Sequence, residues 1–229
     1  MNYRIKLLLL FLCALGTIFV FTTGYAVVDT LSRLNVVETD RDAWQKPAEV
    51  IDALHLSPGD TVFDLGCGSG YFSIRLSSVV GKNGKVLAED IRRLPLFFLW
   101  LRTFWQNSNV HTVHGAPLDP RLPAIGANAV LIANTYHELS DSRPILSAIA
   151  KSLTAGGRLV IVDRQPAPPR AGETGALDHA IPLSQVEREV QQAGFSVVVQ
   201  DDRFIEQDPG RESWWLLVAR KSDSATGLP

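Results

Sequence analysis

Cysteine is nearly absent from this 229-residue chain: Cys13 and Cys67 stand alone and far apart. Two isolated thiols make neither a disulfide framework nor a metal-ligand spacing. An excess of one charge is missing too. Lys and Arg number 22 and Asp and Glu 24, a formal net charge of −2, so the chain lacks the electrostatic footprint of a nucleic-acid binder. No segment repeats another at a fixed period, which argues against solenoids and propellers. What is plentiful is apolar residues, 46% of the chain, enough for one sizeable α/β core and an extension.

The extension is residues 1–28. Arg4 and Lys6 precede an apolar run from Leu7 to Val28, interrupted only by small or hydroxyl residues. A run of about 22 such residues can cross a bilayer as a helix. A cleaved signal peptide is the rival reading, but its apolar region is usually about 7–15 residues long, and Thr23-Gly24-Tyr25-Ala26 is a poor cleavage site. The expectation is a membrane protein with a single-pass N-terminal anchor. Basic residues give a slight bias toward a cytoplasmic N-terminus, with Arg4 and Lys6 on one flank and Arg33 and Arg41 on the other. That bias would put the body outside the cytoplasm; the side stays open. The expected division is 1–28 anchor or signal segment, 29–221 one α/β domain, and 222–229 a disordered tail.

The stretch that organises the domain runs from Val62 to Tyr71, Val-Phe-Asp-Leu-Gly-Cys-Gly-Ser-Gly-Tyr. Thr61–Leu65 reads as a buried strand, and Tyr71–Val80 as a helix with Phe72, Leu76, Val79 and Val80 on its apolar stripe. Between them, Gly66, Gly68 and Gly70 let the backbone come close to a nucleotide-like ligand. Their spacing is Gly-x-Gly-x-Gly, with Asp64 two residues upstream. Dinucleotide-binding folds use Gly-x-Gly-x-x-Gly, so a nicotinamide oxidoreductase is disfavoured.

Further strands are expected at Lys85–Glu89, with Asp90 at its end, and at Val110–His114, Ala129–Ala133 and Arg158–Val162. Two closing strands are expected at Phe195–Gln200 and Trp214–Ala219. A turn at Thr154-Ala155-Gly156-Gly157 separates the helix after Asp141 from the fifth strand. Alternating strands and helices predict a mainly parallel sheet with right-handed crossovers. Its ligand belongs beyond the C-terminal strand ends. The glycine loop, Asp90 and Asn134–Glu138 all fall there. Residues 91–106 form a helix apolar on nearly every side, too short to span a membrane. It either packs on the sheet, rests on a membrane surface or lines a lipophilic pocket.

Taken in order, these motifs resemble the class I S-adenosylmethionine-dependent methyltransferases over roughly residues 40–220. Asp64-x-Gly66-x-Gly68-x-Gly70 is similar to the first motif of that family. Gly84-Lys85-Val86 through Asp90 is similar to its second strand and ribose-binding acid. Leu153-Thr154-Ala155-Gly156-Gly157-Arg158-Leu159 is similar to the turn before its fifth strand. Asn134-Thr135-Tyr136-His137-Glu138-Leu139 is similar to small-molecule methyltransferases of bacteria, ubiquinone/menaquinone-type relatives included.

The resemblance implies a Rossmann-like, seven-stranded, mostly parallel sheet with an antiparallel final strand, and S-adenosylmethionine as cofactor. It implies cofactor contacts from Asp64, Gly66, Gly68, Gly70, Asp90, Ile91 and Asn134. Asp90 would accept hydrogen bonds from both ribose hydroxyls, and Ile91 would pack near the adenine. His137 and Glu138 are the candidate bases for a weakly acidic, small and lipophilic acceptor, and Tyr136 is expected to face the sulfonium. His179 falls where relatives carry a similar loop histidine, and Asp163 ends the fifth strand. Two departures stand out: Asn128 where relatives have an acid, and Gly115-Ala116-Pro117 with Asp119 only later. The alternative is a non-catalytic, membrane-anchored protein that binds S-adenosylmethionine or acts as a scaffold. Adenosylmethionine is made in the cytosol, so a body outside the cytoplasm would favour that alternative.

Overall fold

The computed structural model describes residues 3–104, 108–166, 180–206 and 213–222. The expected tail beyond Ser222 and the loop histidine His179 lie outside the described residues. The chain divides into two compact units, Met1–Ala43 and Trp44–Pro229.

The first unit belongs to one helix, α1 (Tyr3–Trp44), of 42 residues. At about 1.5 Å per residue it is roughly 63 Å long, about twice the hydrocarbon thickness of a bilayer. Phe11, Leu15, Ile18, Phe19, Phe21 and Tyr25 are all exposed. Over residues 10–26 the helix is thus exposed on every side, with no polar face. Thr17 and Thr22 return their hydroxyl hydrogens to the carbonyls of Cys13 and Ile18 at 2.9 and 3.0 Å, so these two groups need no water. By length and composition α1 can cross a membrane. It runs on past Val28 into a charged segment, where Arg33 Nε pairs with Asp29 Oδ2 at 2.8 Å one turn away.

The second unit contains α2 (Pro47–Ala53), β1 (Thr61–Leu65), α3 (Tyr71–Val80), β2 (Lys85–Asp90), α4 (Arg93–Phe104), β3 (Val110–His114) and β4 (Ala127–Ala133). It continues with α5 (Ser142–Ser152), β5 (Leu153–Arg164), α6 (Leu183–Gln192), β6 (Phe195–Ile205) and β7 (Trp214–Lys221). The strands form one sheet in the order β3-β2-β1-β4-β5-β7-β6. Only β7 runs against its neighbours. The seven-stranded sheet with an antiparallel final strand is therefore as expected.

Strand β1 lies between β2 and β4 and is buried from Val62 to Leu65. A strand covered on both faces needs a continuous apolar run, here broken only by Asp64. Helices α2 and α3 bring Val50, Leu54, Phe72 and Leu76 against Val62, Val86 and Leu131 on one face. Helices α5 and α6 bring Ile145, Ile149, Val186 and Val190 against Phe63, Val130, Ile161 and Trp215 on the other. The first turn of α5 is held by Asp141, whose carboxylate accepts the Arg143 N–H at 3.1 Å.

Two strand boundaries differ from expectation by five residues. Pairing of β5 with β4 begins at Leu153↔Ala127, and the expected turn at 154–157 is an irregularity inside the strand before Arg158↔Ala129. Gly156, at φ +70°, supplies the left-handed residue that such a bulge needs. Strand β6 extends to Ile205, five residues beyond Gln200, along an exposed edge.

Trp215 fastens the sheet to what covers it. It is fully buried, and its indole N–H donates to the carbonyls of Arg164 at 3.2 Å and Ile181 at 2.9 Å. Trp215→Ala removes a large core ring and orphans two acceptors, so unfolding free energy should fall by about 3–5 kcal/mol. Urea denaturation measures this; a loss below about 1 kcal/mol would contradict the packing described.

Candidate functional site

The glycine loop leaves β1 with three left-handed residues: Gly66 at φ +68°, Gly68 at +54° and Gly70 at +92°. A Cβ at Gly66 would strike the side chain of Thr135 at the end of β4. A Cβ at Gly68 would meet nothing within 4 Å. The backbone at Gly68 therefore faces open space.

Three carboxylates lie beneath this loop. Asp64 is 2% exposed and accepts the Ser73 hydroxyl, which ties the tip of β1 to the first turn of α3. Asp90 is also 2% exposed. Its Oδ2 accepts the Gly68 N–H at 3.0 Å, and its Oδ1 accepts the Arg92 N–H at 2.7 Å and the Arg92 Nε–H at 3.2 Å. Glu89 points to the opposite face of the sheet, as strand alternation requires. It is 5% exposed and accepts the Gly66 N–H. Burial pushes its carboxyl up to about 7; the Gly66 N–H works against this, and the charges of Asp90 and Asp64 add to it. The Cys67 thiol is pushed well above its ordinary range, first by burial and then by Asp64, Asp90 and Glu89. It stays protonated, which suits a loop residue and not a nucleophile.

The tip of β4 forms the other side. Asn134 is exposed in a left-handed conformation, φ +55°, and its N–H donates to the Val162 carbonyl at 2.8 Å. Tyr136–Glu138 then make one 3-10 turn. His137 donates its backbone N–H to Asp163 Oδ2 at 3.1 Å, and its Nδ1 lies 2.8 Å from Asp163 Oδ1. Asp163 is fully buried. A carboxylate only accepts, so Nδ1 carries the hydrogen, and a guanidinium only donates, so Nε2 presents its lone pair to Arg164. Arg164 Nη2 donates to that lone pair at 2.8 Å. Glu138 is exposed, with Oε1 3.8 Å from His137 Nε2, and its charge also acts on Arg92.

Tyr136 lies elsewhere. Its ring is 1% exposed in the α5–α6 core, and its hydroxyl donates to Glu189 Oε2 at 2.6 Å. This corrects the expectation of a ring facing a sulfonium: the 3-10 turn sends its side chain away from the strand-tip opening. Ile91 is 50% exposed at the lip of β2, with its carbonyl 3.1 Å from His114 Nε2.

The two departures have structural uses. Asn128 Oδ1 accepts the Thr61 N–H at 2.9 Å and so links the starts of β1 and β4. Asp119 pairs by backbone with Ala116 at 2.7 and 3.0 Å, and its carboxylate accepts the Arg121 N–H at 2.8 Å. Glu89, Arg92 and Arg164 were missed as site residues. Only Glu89 left a signal, as a second acid in an otherwise apolar strand.

Residues 33–97 match the family model for protein-L-isoaspartate(D-aspartate) O-methyltransferase. An S-adenosylmethionine-dependent methyltransferase from Aquifex aeolicus superposes with a TM-score of 0.69 at 21% identity, covering 83% of this chain and 97% of that one. The chain has the class I methyltransferase fold. The resemblance read from the motifs is borne out. The demethylmenaquinone methyltransferase of Oceanobacillus iheyensis is 23% identical over 145 residues, 63% of this chain and 60% of that one. Across the first curated relatives the chain spans 32% to 60% of their length. The [4+2]-cyclase SpnF shares the fold as well, with a TM-score of 0.65 at 15% identity over 78% of this chain and 81% of that one.

The folded pKa of Glu89, about 7, lies above the ordinary 4.5, so the folded state keeps a proton that the unfolded chain gives up. Stability should therefore fall as pH rises from about 4.5 to 7, by about 3 kcal/mol in all. Glu89→Gln should flatten that profile. Denaturant midpoints at pH 5 and 8 check it, and an unchanged slope in the variant rejects the assignment.

Proposed function

We propose that this chain transfers a methyl group from S-adenosylmethionine to a small, lipophilic acceptor, with its α/β unit tethered to a membrane by α1. The observation that carries the reading is one juxtaposition. An open glycine loop over the Asp90 carboxylate meets, across the strand tips, a histidine oriented by Asp163.

The residues present fit this cofactor. Asp90 has two oxygens for two ribose hydroxyls, which replace the Arg92 guanidinium there. The open face of Gly68 admits a ligand against bare backbone. Ile91 offers apolar surface to an adenine, Asn134 offers an amide from the opposite tip, and the buried acids suit a ligand with cationic groups. When bound, S-adenosylmethionine supplies a sulfonium methyl for in-line displacement.

His137 Nε2 is the proton acceptor of the reading. Asp163 fixes the tautomer, and Arg164 leaves Nε2 when its guanidinium turns to an oxygen of the acceptor. Glu138 stands exposed at the mouth as a second carboxylate. The relatives named for demethylmenaquinone and for ubiquinone/menaquinone support a lipophilic acceptor, and the all-round apolar surface of α1 supports a bilayer setting. A second reading is binding of S-adenosylmethionine without transfer. It draws on the guanidinium that closes Nε2.

Calorimetry of the full chain in detergent should detect S-adenosylmethionine and its demethylated product, and silence for both would sink the proposal. Asp90→Ala should weaken the binding at least about tenfold, the equivalent of ~1.4 kcal/mol. His137→Gln should leave affinity nearly unchanged and lower turnover of a quinol acceptor by about 10²–10⁴. Turnover equal to that of the unaltered chain removes His137 from the chemistry.

A further inference from the structure

Among the described residues, helix α4 packs on the sheet by one side. Leu96, Leu99 and Thr103 are buried, and the two leucines pack with Cys67, Ala88, Ile74 and Val110. The other side carries Leu94, Phe97, Trp100 and Phe104, exposed by 66, 45, 45 and 54%. Phe97, Trp100 and Phe104 recur at three- and four-residue steps, so they share one strip of the helix. Their rings touch along it, with centroids 6.0 Å apart for Phe97–Trp100 and 4.9 Å for Trp100–Phe104. A contiguous aromatic strip in water marks a surface that something covers.

The chemistry of the strip points to its occupant. Aromatic rings favour the boundary between headgroups and acyl chains. Arg93, exposed at the start of α4, suits anionic headgroups. The same chain carries a helix long and apolar enough to cross a bilayer, which holds the domain near such a surface.

We propose that the outer face of α4 rests on an anionic bilayer, with Phe97, Trp100 and Phe104 at the acyl boundary and Arg93 among the headgroups. The inference rests on the anchored reading of α1 and is independent of whether a methyl group is transferred. It also reaches the glycine loop. Leu99 lies against Gly70, where a Cβ would strike it, and Arg102 Nη1 donates to the Ser69 carbonyl at 2.6 Å. The docked face and the loop thus share one helix. Docking also brings the Ile91–Arg92 rim of the site to the depth at which a lipophilic molecule partitions.

The test uses the full chain in vesicles of phosphatidylcholine and phosphatidylglycerol, with plain or brominated acyl chains. Tryptophan emission of the unaltered chain minus that of Trp100→Phe isolates residue 100. That difference should fall at least about twofold in brominated vesicles, and less when phosphatidylglycerol is left out. Equal emission with both acyl chains overturns the docking. Flotation of the same samples reads the anchor separately. A chain that floats without quenching at residue 100 keeps the anchor and loses the docking; one that does not float loses both. Emission at residue 100 that changes with protein concentration in lipid-free detergent assigns the strip to a second copy and also overturns the proposal. If Trp100→Phe does not fold, Phe104→Trp provides the same difference signal.

Discussion

Asp64, Glu89 and Asp90 are held almost out of water at one end of the sheet, and much of the site follows from keeping them there. Like charges at short range in a poorly polarisable interior repel strongly. The chain answers with donors: the amides of Gly66 and Gly68, the hydroxyl of Ser73 and the guanidinium of Arg92. Amides can point inward from a tight loop only if the backbone turns left-handed, which is where the glycines come from. Glu89 still holds its proton up to about pH 7. A positively charged ligand would complete the balance.

Much of this was legible in the order of residues. Strands β1 and β3 and helix α3 begin and end where periodicity puts them, because each has a clear apolar pattern bounded by turn residues. The bulge at 154–157 was hidden, since a Gly-Gly step reads as a helix stop whether the chain turns or simply bends. The end of β6 was hidden because Asp201, Asp202 and Arg203 look like a turn, while an edge strand needs only backbone partners. In the site, the glycine spacing pointed to Asp64 and the end of the second strand to Asp90. Tyr136 was misplaced because neither the period of a strand nor that of a helix governs a single 3-10 turn. Arg164 gave no signal, since nothing in its neighbours tells which way a strand-end side chain folds.

The fold alone leaves the chemistry open, as its sharing with a [4+2]-cyclase illustrates. The functional reading therefore leans on particular atoms. His137 has one nitrogen committed to a buried carboxylate and the other to a guanidinium. Such an imidazole is preset in tautomer and direction. Its outer nitrogen is released only when the Arg164 guanidinium turns to another partner.

The close contact between Gly66 and Thr135 has a mechanical meaning. Thr135 Oγ1 lies 3.4 Å from the Gly66 carbonyl and 3.2 Å from that of Ala133, and a methyl on Gly66 would overlap its side chain. The glycine loop and the turn after β4 are therefore interlocked parts. Neither can be redesigned alone: a bulkier residue at 135 has to displace the glycine loop, and a side chain at 66 has to displace the turn bearing His137. A lineage that remodelled that turn would be obliged to keep position 135 small.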